Sequence, residues 1–195
     1  MNSFGNIPKQ YFTLFKNNAK YISENSKIKI GDIVDNVVLS ISHSDDDEKG
    51  FNRIYPIICE YSPYIIRNGK DMTIVSFVSV VRFSNDDLFS FSIKCAKQLY
   101  KVNGIFAGVH YQKMMVIKND KTPDMAAFSQ DDLKLGFVLG DAAKRIKCKL
   151  LFTGNFVQRY PKKLLLKYMD KLVLEGDNEY KLFKYRAFNF GSIGV

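Results

Sequence analysis

The stretch from Met72 to Lys118 constrains this chain most. Met72 to Phe83 (MTIVSFVSVVRF) is rich in β-branched and aromatic residues with apolar side chains on both faces, which predicts a central strand. Ser84-Asn85-Asp86-Asp87 then sets a capping residue and two carboxylates at the positive end of a helix dipole. The helix runs to about Tyr100, with Leu88, Phe91, Cys95 and Leu99 on one stripe and Lys94, Lys97 and Lys101 pointing outward. Asn103-Gly104 stops it, and Ile105 to Lys118 (IFAGVHYQKMMVIK) returns as a strand. Strand, helix and strand in so short a space require a sheet with a helix across one face.

The flanking sequence extends that unit. Residues 1–26 read as a partly mobile arm with a short helix near Gln10 to Tyr21. Lys27 to Ile41 predicts a strand broken at Gly31, and the acidic run from Ser44 to Gly50 a solvated loop that lacks the ligand spacing of a calcium site. Ile54 to Tyr61 (IYPIICEY) reads as a strand that Pro56 confines to an edge, and Asn68-Gly69 as a turn. Asn119 to Gln130 is a loop, and Leu133 to Leu139 a short strand closed by Gly140-Asp141. Lys144 to Thr153 (KRIKCKLLFT) alternates, with Ile146, Cys148, Leu150 and Phe152 inward and Arg145, Lys147 and Lys149 outward. Tyr160-Pro161 opens a helix that Gly176 ends, its inner stripe Leu164, Leu165, Tyr168 and Leu172 and its outer stripe Lys163, Lys167 and Lys171. Tyr180 to Phe188 is the last strand. The expectation is one α+β domain over residues 27–195, a mostly antiparallel sheet with two main helices packed on it.

Composition narrows the class. At 195 residues and 46% hydrophobic, the chain can bury a core, which excludes disordered and low-complexity classes. Three distant cysteines, Cys59, Cys95 and Cys148, encode neither a disulfide framework nor a zinc site and suit a reducing compartment. No run is long enough to span a bilayer, and Lys9, Lys16 and Lys20 stand where a signal peptide needs apolar residues. The formal charge of +9 is uneven: residues 131–195 hold 13 basic and 7 acidic side chains, whereas residues 1–60 hold 7 and 8. A basic end attracts phosphate-bearing surfaces, either nucleic acid or an anionic membrane.

Catalytic patterns are sparse. His43 beside the acidic loop reads as a solvent-exposed imidazole, and His110 in mid-strand as a satisfied core residue. Residues 104–108 (GIFAG) and 140–145 (GDAAKR) lack the spacing of a phosphate loop. Asp86-Asp87 and Asp131-Asp132 fall at element starts, where capping accounts for them, and Cys95 is an inert buried thiol. The expectation is therefore a protein that is not an enzyme, with no cofactor and no metal. The stronger signal is basic: Arg145, Lys147, Lys149, Lys162, Lys163, Lys167 and Lys171 form one polyanion-binding surface if the basic strand and helix are neighbours, and a merely solvated face if they are not. In the arm, Tyr11 and Leu14 fit a Tyr-x-x-aliphatic short linear motif, for which packing on the domain is the simpler account.

From Met72 onward the order of elements resembles the matrix proteins of rhabdoviruses: a strand, an Asp-capped helix and a returning strand, then KRIKCKLLFT, then a late helix leading to a final strand. The resemblance covers about two thirds of the chain and favours a plant or arthropod virus member, since a Lys-rich N-terminus and a proline-rich budding motif are missing. It implies a virion protein of the host cytoplasm, peripheral to membranes and not secreted, that self-associates and bridges nucleocapsid RNA to an anionic membrane surface. A viral RNA-binding protein, of silencing-suppressor or movement type, is the alternative. A third is a phosphoryl- or nucleotide-processing enzyme in an unfamiliar fold, with His110, Tyr111 and Lys113 as its sharpest form.

Overall fold

A computed structural model describes residues 31–43, 47–61, 64–68, 71–78, 85–118, 126–128, 130–160, 162–174 and 178–186. The expected arm, with Tyr11 and Leu14, lies outside them. The elements in chain order are β1 (Ile33–His43), α1 (Asp47–Glu60), β2 (Tyr64–Asn68), β3 (Met72–Val78), α2 (Asn85–Lys101), β4 (Ile105–Lys118), β5 (Ala126–Phe128), α3 (Gln130–Arg145), β6 (Leu150–Thr153), α4 (Gly154–Arg159), β7 (Leu166–Leu174) and β8 (Asn178–Tyr185). The strands form one sheet in the order β2-β3-β1-β4-β6-β8-β7, with β5 paired to β4 outside that path. Every pairing is antiparallel except β4 with β6, which α3 joins as a crossover. The first six elements are a βαββαβ unit, and the rest extend its sheet past β4. The expected α+β class and mostly antiparallel sheet are thus present, with three longer helices rather than two.

Each face of the sheet has its own cover. Val37, Leu39 and Ile41 of β1, Val75 and Phe77 of β3, and Val109 and Tyr111 of β4 pack with Phe51, Ile54 and Ile58 of α1 and Leu88, Cys95 and Leu99 of α2. On the opposite face Leu139 and Ala143 of α3 pack with Leu151 of β6 and Leu182 of β8, while Val38, Ile74 and Met114 form a smaller cluster. The long β1 and β4 are covered on both sides, which is why successive residues over Val37–His43 and Ala107–His110 are buried without alternation.

The expected loops at Ser44 to Gly50 and Asn119 to Gln130 hold the first turn of α1 and the short β5, and four further segments depart from the sequence reading, each for a physical reason. The expected strand at Ile54 to Tyr61 is the end of α1, where Phe51, Ile54 and Ile58 recur at helical spacing. Pro56 is tolerated because it is exposed and Asn52, whose carbonyl it leaves unbonded, is exposed too. Leu133 to Leu139 belongs to α3, with Leu135, Leu139 and Ala143 on its buried stripe; a short apolar run alone does not distinguish strand from helix. The alternation at Lys144 to Thr153 is broken by a turn, since α3 continues to Arg145, Lys147 takes φ 50°, and only Leu150–Thr153 is strand. Ile146, expected inward, is 48% exposed. The expected late helix is β7, paired along its length with β8. A bulge between Tyr168 and Asp170 inserts Met169, and that extra residue shifts the strand's period of two into spacing that imitates a helix.

Candidate functional site

Two chemical clusters stand along one edge of the sheet, where β1, β3, β4, β6 and β8 present the ends that carry His43, Met72, Ile105, Leu150 and Tyr185.

The first lies at β1 and β3. Gly136 and Gly140, one helical turn apart, bring α3 onto β1: a Cβ on Gly140 would stand 2.9 Å from Ser40 Cβ, and one on Gly136 3.1 Å from Ser40 Oγ. A third glycine, Gly108 of β4, faces Leu139 at the same close approach. This contact carries the last turn of α3 over the end of β1, where Lys144 Nζ donates to the His43 carbonyl at 3.0 Å and lies 3.9 Å from Asp71 Oδ2. The Lys144 side chain is 35% exposed and that of Asp71 69%. His43 itself is fully buried rather than solvent-exposed, its ring against Gly50 of α1, where any side chain would collide with it. An ammonium carries three donors, so with one on His43 and one directed at Asp71, the third donor of Lys144 has no partner among the described residues and is open to a ligand.

The second cluster is a groove at the facing ends of β6 and β8. Lys147, Lys149, Lys184 and Arg186 line it with Tyr100 and Tyr185. Of the basic surface expected from the sequence, the structure brings only Lys147 and Lys149 here, and Lys167 stands directly opposite Lys184 in the β7–β8 register. The others are elsewhere. Arg145 pairs with Asp141 one turn back on α3 at 2.7 Å, and Lys162 and Lys163 are exposed before β7. Lys171 on β7 bonds Glu179 Oε2 at 2.6 Å, and that hydrogen bond holds its ammonium above the usual range. Sequence reasoning missed Asp71, Lys184, Arg186 and the Tyr100–Tyr185 pair. Its available signal was the Gly136-x-x-x-Gly140 spacing, which reads as a helix face made for close packing.

His110 is not a reacting group. Its Nδ1 is 3.0 Å from Thr153 Oγ1, its Nε2 is 2.9 Å from Gln112 Oε1, and Tyr180 meets the ring edge-on. Burial pulls its pKa down to about 4, so the imidazole is neutral and structural, as its mid-strand position suggested. Tyr111 faces the other side, where its hydroxyl donates to Asp35 and Arg159 stands 5.3 Å over its ring. Burial, followed by the Asp35 carboxylate, pushes the phenol up to about 12.

Catalysts of phosphoryl transfer commonly hold Mg²⁺ on grouped carboxylates. Among the described residues no three His, Cys, Asp or Glu side chains converge as metal ligands, and Asp71 is already answered by Lys144. These residues do not fit a metal centre. Ser44 and the acidic Asp45 and Asp46 lie outside the described residues, between β1 and α1. No described helix is long and apolar enough to cross a membrane.

No protein-family model matches the sequence, and no curated protein does. Solved structures do match in shape. A bacterial light-regulated adenylyl cyclase superposes with a TM-score of 0.60 and 11% identity over 91% of this chain, which spans 61% of the cyclase's length. The adenylyl cyclase CyaB from P. aeruginosa matches with a TM-score of 0.58 and 11% identity, over 82% of this chain and 97% of its own. The guanylate cyclase domain of RhGC from Catenaria anguillulae, solved in complex with GTP, matches with a TM-score of 0.52 and 11% identity, over 80% and 98%.

These likenesses overturn the expected function, a viral matrix-type or RNA-binding structural protein, and the expectation that the chain is not an enzyme. The element order behind the matrix reading also fails at its end, since the late helix it needed is β7. At 11% identity the likeness is one of architecture: the described residues adopt the fold of adenylyl and guanylyl cyclase domains.

Proposed function

We propose that this domain acts on a purine nucleoside triphosphate, closing its 3′-oxygen onto the α-phosphorus with release of pyrophosphate. The observation that carries this reading is the cyclase fold over 82–91% of the chain, an analogy of architecture rather than of residues. In the reaction the bond from the 3′-oxygen to the α-phosphorus forms, the bond from that phosphorus to the bridging oxygen breaks, and the hydroxyl proton passes to water. Negative charge gathers on the phosphoryl and leaving oxygens, so a positioned cation is the group the reaction needs most. Lys144 meets that need. Its ammonium is fixed by the His43 carbonyl and by Asp71, it stays accessible, and its remaining donor can meet a phosphoryl oxygen. Asp71 is a positioning residue for Lys144.

The test is incubation of the protein with ATP or GTP in magnesium buffer, with chromatography for cyclic nucleotide and a coupled assay for pyrophosphate. The expected result is equal amounts of the two products, with turnover reduced about 100-fold in Lys144→Ala, the scale of losing one charge-stabilising donor. Asp71→Asn reduces turnover less and Lys144→Arg restores part of it. Absence of both products from ATP and GTP, in protein shown to be folded, removes the reading.

A further inference from the structure

The groove beside β6 and β8 has no part in that chemistry. It encloses about 470 Å³, and its lining carries four cations, Lys147, Lys149, Lys184 and Arg186, and no carboxylate. The ion pairs among the described residues, Lys144–Asp71, Arg145–Asp141 and Lys171–Glu179, engage none of the four. Lys149 Nζ reaches only the Asn103 amide oxygen, at 3.4 Å, and stands 5.8 Å over the Tyr100 ring. Lys97 brings a fifth charge to the rim, 5.7 Å over Tyr185, and the two tyrosines meet edge to face at 5.5 Å.

Lys147 adds an independent sign. It ends α3 at φ 50°, with its N–H donating to the Lys144 carbonyl and that of Cys148 to the Ala143 carbonyl. Glycine is the usual occupant of such a left-handed helix end, because a Cβ is strained there. A lysine instead costs local conformational energy and adds a charge to a concavity that already holds three. A non-glycine residue held at positive φ, with its charge set in a concavity lined by three others, marks a place shaped for a ligand rather than for stability.

We infer that this groove is a second anion site that binds a small polyphosphate group. Its volume falls in the range of small-ligand sites, about 300–1,000 Å³. The cations stand on two walls, the α3–β6 turn and the end of β8, so a chain of two or three phosphates lying between them meets both. Lys144 Nζ sits on His43 of β1, three strand spacings of about 4.8 Å, roughly 14 Å, from β8, so one phosphate does not serve both places. The inference stands without turnover at Lys144.

The test is calorimetry at constant ionic strength with inorganic tripolyphosphate as the probe, and ATP, AMP and a short single-stranded RNA run beside it. Tripolyphosphate binds the groove of the full chain and raises its melting temperature, and the Lys149→Ala/Lys184→Ala variant loses that binding by about 100-fold, about tenfold per lost charged donor, while Lys144→Ala keeps it. Lys147→Gly melts higher than the parent without ligand yet binds about tenfold more weakly, a combination that a merely structural Lys147 does not produce. Competition by ATP and not by AMP assigns the phosphate chain of a nucleotide as an acceptable source, and its failure leaves inorganic polyphosphate. Equal tripolyphosphate affinity in parent and variants, or RNA binding with which tripolyphosphate does not compete, overturns the inference. Asp71→Asn keeps tripolyphosphate affinity; no turnover in the parent with tripolyphosphate binding intact removes only the catalytic reading, and turnover without tripolyphosphate binding removes only this one.

Discussion

Replacing Gly108 with alanine tests the contact on which the placement of Lys144 depends. Gly108 lies in the middle of β4, paired with Ser40 of β1 and Leu151 of β6, beneath α3. A Cβ built there would stand 2.5 Å from Leu139 Cγ, 2.9 Å from its Cδ2 and 3.2 Å from its backbone carbonyl carbon. Carbon atoms in contact prefer about 3.5–4.0 Å, so the shortfall is about 1 Å. Leu139 is fully buried, and turning its side chain leaves the backbone carbon in place, so α3 itself must rise. Overpacking of this kind costs about 1–3 kcal/mol, and exchanging glycine for alanine within a strand returns about 0.5–1 kcal/mol. The net loss is up to about 2.5 kcal/mol and centred on about 1 kcal/mol, which at the centre lowers the melting temperature by about 2–4 °C in a domain of this size. Thermal and urea unfolding measure it. Gly108→Ala/Leu139→Ala removes most of the collision, so the pair costs less than the sum of its parts by at least about 0.5 kcal/mol. A melting temperature equal to or above the parent's, or strictly additive variants, would refute the close approach of α3 to the sheet.

The remaining tests are simpler. His110 is neutral in the folded protein, with a pKa near 4 against 6.5 unperturbed, so the unfolded chain takes up this proton first as the pH falls. The contribution of His110 to stability is therefore complete above pH 6.5 and is lost progressively toward pH 4, amounting to as much as about 3 kcal/mol across that window. Urea unfolding at about pH 7 and about pH 5 should show this loss in the parent and a smaller one in His110→Gln; equal losses would be contrary to it. Among the three cysteines, Cys59 is exposed, whereas burial pushes the Cys95 thiol up to about 12 and raises that of Cys148. In native protein Cys59 should react with a thiol reagent well ahead of the other two, and mass spectrometry showing Cys95 modified at the same rate would contradict its burial.

The sequence was most legible where local and tertiary preferences agree. From Asn85 through Lys118, the apolar stripe, the Asn103-Gly104 stop and the returning strand all correspond to α2 and β4, while the expected cap at Ser84 lies outside the described residues. It misled where a short apolar run suits two structures, as at Leu133 to Leu139, and where a bulge disguises a strand, as at Met169. Of the seven basic residues singled out in the sequence, two share a groove. Lys147 and Lys149 belong together, but what joins them is the end of β8, some 35 residues further on, and no pattern in KRIKCKLLFT refers to it. His43 looked exposed from its acidic neighbours and is buried because α1 folds back over the end of β1 through Gly50.

What the residues determined by themselves is the class of the domain: one α+β unit, a mostly antiparallel sheet with helices packed on it, because burial patterns and helix stops act over a few residues and are written there. What only the tertiary structure decided is which charges meet. Asp71 reaches Lys144 because three glycines let α3 settle onto β1 and β4, and Lys149 shares a groove with Lys184 because β6 pairs with β8. Proximity between distant segments is set by the order of strands and the closeness of packing, and neither leaves a local periodicity to read.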